Sequence, residues 1–120
     1  MKFIAVLLLT LSTAHAACEL SFPQTNICGD VVWTEGPHYN RASSFTVTFD
    51  QNIAPNSLKL DLWMPTMGHG SRPLVLRASS ETEVMVSGAW FVMRGLWQIR
   101  AKLVDPSGTL VDSTLMELSL

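Results

Sequence analysis

The sequence predicts an all-β fold, an immunoglobulin-like antiparallel β-sandwich of about seven strands. Three observations predict it. Short segments alternate apolar and polar residues with period two, clusters of Gly, Pro, Asn and Asp interrupt them roughly every 8–12 residues, and no segment sustains a helical period.

The elements follow in order. Val31-Val32-Trp33 reads as a brief strand ended by Glu35-Gly36-Pro37. Ser44–Phe49 alternates strictly, with Phe45, Val47 and Phe49 on one face and small hydroxyls on the other. The turn residues of 50–56 separate it from a strand carrying Leu58, Leu60, Leu62 and Met64 on one face and Trp63 on the other. Leu74–Arg77 is a short strand. Glu83–Met93 reads as one further strand, with a turn or bulge at Ser87-Gly88. Trp97, Ile99, Ala101 and Leu103 mark the clearest half-buried strand. Asp105-Pro106-Ser107-Gly108 is a hairpin turn, and 109–118 return as the last strand.

Residues 1–16 read as a secretory signal peptide: Lys2, an apolar run from Phe3 to Leu11, and Ala14-His15-Ala16 as an A-x-A cleavage site. Residues 17–120 then form a single domain, and no later apolar stretch reaches the roughly 20 residues of a membrane span. A lipid anchor at Cys18 competes with simple cleavage, although His15 stands where such signals carry a large aliphatic residue. The expected location is periplasmic or secreted. Without Lys2 the chain has seven basic and ten acidic residues and no basic cluster, which argues against nucleic acid and anionic lipid as partners.

Cys18 and Cys28 are the two cysteines. An even count in an exported chain reads first as a disulfide, stabilising by roughly 3 kcal/mol through loop closure. Their spacing is wrong for a zinc knuckle. Catalysis finds no footing: the histidines beyond the signal are His38 and His69, Ser71 lies two residues from His69 but no activating carboxylate is assignable to that pair, and no Gly-x-Ser-x-Gly or phosphate-cradling loop is present. The expectation is a protein that is not an enzyme.

Trp63-Met64-Pro65-Thr66-Met67-Gly68-His69-Gly70 carries the most chemistry. Two thioethers and an imidazole within six residues suit Cu(I) and suit Mg²⁺ or Ca²⁺ poorly. Thioethers have no proton to lose, so such a site depends less on pH than one of thiolates. Met93 is the candidate fourth ligand. Two readings stay open at this point. In one, Met64, Met67, His69 and Met93 hold the metal; in the other, Met64 and Met93 fill core gaps and the loop docks a partner without metal. Trp63 could shield Cu(I) or mark a docking spot, His38 could approach the same rim, and Trp33, Trp90 and Trp97 read as core.

Met-Pro-x-Met-Gly-His-Gly, followed about 25 residues later by Phe91-x-Met93-x-Gly95-x-Trp97, resembles the FixH/YtkA-like family of small exported domains over about residues 43–104. The resemblance implies an immunoglobulin-like sandwich outside the cytoplasm and a link to copper, as a carrier, a buffer or an accessory of copper-oxidase assembly. It places Met64, Met67, His69 and Met93 in the motif positions. A copper-donor or copper-acceptor protein of the envelope is the partner it implies. The chain departs from FixH proteins in having no membrane-spanning anchor, and its Cys18–Cys28 segment lies outside the motif region.

Overall fold

Alternating apolar residues need a second layer to cover them, and the chain supplies it by folding two antiparallel sheets face to face. The computed structural model describes Cys18–Leu120, and the expected signal peptide lies outside these residues. The strands are β1 (Leu20–Ser21), β2 (Cys28–Glu35), β3 (Ser43–Phe49), β4 (Leu58–Met64), β5 (His69–Gly70), β6 (Val75–Ala78), β7 (Glu83–Ala89), β8 (Leu96–Val104) and β9 (Leu110–Ser119). One sheet has the order β1-β2-β3-β7-β6 and the other β5-β4-β8-β9. Seven strands have four or more residues; β1 and β5 have two each. The orders β2-β3-β7-β6 and β4-β8-β9 match the A-B-E-D and C-F-G sheets of immunoglobulin-type sandwiches.

The period-two faces meet in the middle. Phe45, Val47 and Phe49 of β3, with Val84 and Val86 of β7, face Leu58, Leu62 and Met64 of β4 and Trp97, Ile99, Ala101 and Leu103 of β8. All are buried. Each large side chain enclosed in this way contributes about 1.5–3 kcal/mol of hydrophobic stabilisation before the entropy of ordering it.

β2 and β7 differ in extent from the sequence expectation. β2 begins at Cys28 rather than Val31 because Gly29 belongs inside the strand. A Cβ there would sit 3.1 Å from both Phe49 Cε1 and Val47 Cγ1, so the missing side chain lets the Phe49 ring lie against the backbone. β7 ends at Ala89, and residues 90–95 bend instead of continuing to Met93. The bulge expected at Ser87-Gly88 is present: Ser43 pairs with Ala89 and Phe45 with Val86, leaving an extra residue on β7. Gly88 takes a φ of 74° there.

Cys18 and Cys28 form a disulfide with Cα atoms 5.4 Å apart. It ties the start of the described chain to β2. Beside it, the Asp112 carboxylate of β9 accepts hydrogen bonds from Gln24 N (2.9 Å), Thr25 N (2.7 Å) and Thr25 Oγ1 (2.9 Å), fastening the β1–β2 turn to the other sheet. Burial pushes the Asp112 carboxyl up, but the bonds from Thr25, Ser113 N and Gln24 N together outweigh it and hold the group below its ordinary range.

Candidate functional site

The Met/His run is more regular than its Pro and Gly residues suggest. Met64 closes β4, and its carbonyl accepts hydrogen bonds from Met67 N (3.2 Å) and Gly68 N (2.9 Å). Gly68 takes a φ of 65°, which reverses the chain so that His69 pairs with Met64 and Gly70 with Trp63. The expected irregular loop is therefore a tight hairpin at the sheet edge. Cross-strand partners share a face, so Met64 and His69 both project to the inner side with Cβ atoms typically about 4.5–5.5 Å apart.

Trp97 is the floor of this corner. Leu62 pairs with Ile99 and Trp63 with Gln98, which sets Trp97 of β8 next to Met64 on the same face. The indole is completely buried. Its Nε1–H donates to Met93 O at 2.8 Å, pinning the 90–95 bend over the ring. The His69 ring meets Trp97 edge-on, with centroids 6.1 Å apart and planes at 72°. Gly95, at φ 129°, leaves room for Met64: a Cβ on it would fall 2.9 Å from Met64 Cε. An aromatic series continues inward, from Trp97 to Phe91 at 5.5 Å and from Phe91 to Trp33 at 6.0 Å.

The four candidate ligands thus have different surroundings. Met64 is enclosed, only 2% exposed, and fills the core beside Trp97. His69 is half-buried. Met67 stands out from the turn at 56% exposure, and Met93 at 37%. The structure brings Met64, His69 and the Met93 backbone together around one indole, whereas the Met67 side chain is turned to solvent. The 2.9 Å contact from His69 Nδ1 to Gly70 O fixes the imidazole further. A carbonyl can only accept, so Nδ1 is the donor in this contact and Nε2 is the ring nitrogen it leaves unengaged.

No group of three or more His, Cys, Asp and Glu converges as a metal site among the described residues. A soft ion here would depend on the thioethers. No family model matches the chain, and no curated protein or solved structure matches it either.

The flanking aromatic and histidine residues divide differently from the sequence expectation. Trp63 lies on the opposite face of β4 from Met64, and the Arg100 guanidinium covers its ring at 4.5 Å. It cannot shield an ion bound beside His69. Trp90 is half-buried rather than core, with Arg72 over its ring at 4.2 Å. Trp97 is core as expected, and Trp33 packs partly buried against it. The His38 loop does reach this end: Tyr39 pairs with Phe91, and Asn40 N donates to Phe91 O at 2.8 Å. The imidazole itself, however, donates to the Glu35 carboxylate, which this bond holds below its ordinary range. Trp97 as the floor escaped the sequence reading, although its place two residues after Gly95 in the second motif was the available signal.

Proposed function

We propose that this protein is an exported copper-binding domain that carries or buffers Cu(I), or assists assembly of a copper oxidase, through Met64, Met67, His69 and Met93. The observation that carries the reading is the half-buried His69 imidazole, held over Trp97 and by Gly70 O at the same corner as two solvent-accessible thioethers. Met67, His69 and Met93 are the donors an incoming ion meets. Met64 completes the set from the protein side, beneath the hairpin. Soft sulfur with one imidazole favours Cu(I) over harder or more highly charged ions. The FixH/YtkA-like motif supports the same assignment, and the Cys18–Cys28 bridge fits an oxidising compartment outside the cytoplasm. A copper-donor or copper-acceptor protein of the envelope is the partner this function requires.

Titrating the purified protein with Cu(I) against a chromophoric chelator tests the site. The wild type should compete for one equivalent, and Met67→Ala with His69→Ala should abolish competition. Unchanged competition by the double variant overturns the assignment. The exposure of Met67 and Met93 also favours a second reading, a metal-free docking surface. That reading predicts partner capture unaltered in copper-depleted cells.

A further inference from the structure

Three arginines surround the Met/His corner, each on a different loop. Arg94 follows Met93 and lies over the Tyr39 ring, 4.4 Å from its centroid. Arg72 follows the hairpin and lies over Trp90. The same loop is fastened to this end by a hydrogen bond from Ser71 Oγ to Trp90 O. Arg41 extends from the loop after β2 and meets the His38 ring at 3.1 Å. Arg41 belongs to a cluster with His38 and Glu35, whose carboxyl is lowered by His38 first and by the Arg41 charge as well, whereas Arg72 and Arg94 form no ion pair with a carboxylate among the described residues; the ion pairs found there are His38–Glu35 and Arg100–Asp61. The acids near this end are Glu35, which faces His38, and Glu117, which takes a hydrogen bond from Gln98 on the outer face of the sheet.

This placement is unhelpful to a cation by itself, because the uncompensated charges of Arg72 and Arg94 beside a Cu(I) site repel the ion it is meant to hold. It makes sense if what arrives is larger and negative. We infer that the arginine collar docks an acidic protein surface that delivers or receives the copper, an inference that rests on the copper reading above. The composition of the rim agrees with a protein partner. Arg, Met and aromatic residues (Arg72, Arg94, Met67, Met93 and Tyr39) are the types enriched in protein interfaces, and lysine is depleted there. The lysines of the described chain, Lys59 and Lys102, pair with each other across β4 and β8, away from the corner. Stacking on Tyr39 and Trp90 holds two of the guanidinium planes in place, so less side-chain freedom is lost when a carboxylate binds. An anionic membrane would instead be met by a dense lysine and arginine cluster.

Stopped-flow Cu(I) uptake by the full protein tests the collar with two small donors of opposite charge. One is the bicinchoninate complex, which is anionic; the other is the 2,9-dimethylphenanthroline complex, which is cationic. At low ionic strength, Arg72→Gln with Arg94→Gln should slow uptake from the anionic complex about 10-fold, within the range of electrostatic steering, and added salt should close the gap. Uptake from the cationic complex should be unchanged or faster. Arg72→Lys with Arg94→Lys, which keeps the charge, should retain the wild-type rate. Equal rates in all variants, or the same slowing with both complexes, overturn the collar. Arginine-dependent sedimentation with phosphatidylglycerol vesicles overturns it in favour of a membrane. Failure of the wild type to take copper from either complex has a different signature: it refutes the copper reading and removes the docking inference with it.

Discussion

At one end of the sandwich, the segments after β2, β4, β5 and β7 bring His69, Met67 and Met93 together with Arg41, Arg72 and Arg94, of which Arg72 and Arg94 have no carboxylate partner among the described residues. At the other end, the loops after β3, β6 and β8 carry Asp50, Glu81 and Asp105, and each carboxylate is already engaged. Asp50 accepts Cys28 N at 3.0 Å, Glu81 accepts Asn52 Nδ2 at 3.0 Å, and Asp105 accepts Ser107 N, Ser107 Oγ and Thr109 N. Those bonds lower the Asp105 carboxyl, the Ser107 side chain most of all. The acidic end uses its charges to shape its own turns, whereas the Met/His end leaves charge and soft donors facing outward. A charged side chain therefore means different things at the two ends, and its hydrogen-bond partners decide which.

The contrast can be broken most forcefully at Met64. Because Met64 is buried at the base of the hairpin, Met64→Ala should cost about 2–5 kcal/mol in urea unfolding, as for other enclosed large-to-small changes. A cost below about 0.5 kcal/mol would mean that the Met/His end is not anchored through the core. At the acidic end, Cys18→Ser with Cys28→Ser should lose roughly 3 kcal/mol by the chain-entropy argument, read in the same assay.

Asp112 should set an acid limit. Its folded pKa lies below the ordinary carboxyl value, so its stabilisation is complete above the unfolded pKa near 3.8 and is lost as pH falls through the folded value. Thermal unfolding should show Asp112→Asn less stable than wild type at pH 6, with the difference shrinking towards pH 2.5. A constant difference would exclude this linkage. The smallest effect belongs to Met67→Ala. It should change stability by no more than about 0.5 kcal/mol, because the side chain is exposed, while weakening Cu(I) retention. A large loss of stability there would make Met67 a structural residue and erase the distinction from Met64.

Much of the fold was legible because β3, β4 and β8 alternate cleanly, and alternation reports one buried face directly. β2 was legible only in part. Its first residues, Cys28-Gly29-Asp30, look like a turn, and Gly29 is required by a ring on the neighbouring strand that no local pattern reveals. The His69–Gly70 hairpin was hidden by the same glycines that make it possible, since turn signals do not say whether a strand of two residues follows them. Met93 was read as part of a strand, but the Trp97 indole captures its carbonyl and helps hold the bend. Asp112 looked like one polar residue of an alternating strand. Its partners lie 87 and 88 residues away, beyond what sequence spacing can register.

The enclosure of Trp97 gives the molecule an internal optical probe. Of the four tryptophans it is the one sealed from water, so the short-wavelength edge of the emission spectrum belongs to it. Its ring touches the edge of the only histidine in the hairpin, and its N–H is bound to the backbone of the bend that carries Met93. A rearrangement of the hairpin or of the 90–95 bend is therefore registered as quenching or a spectral shift in unlabelled protein, while events at the acidic end leave that edge untouched.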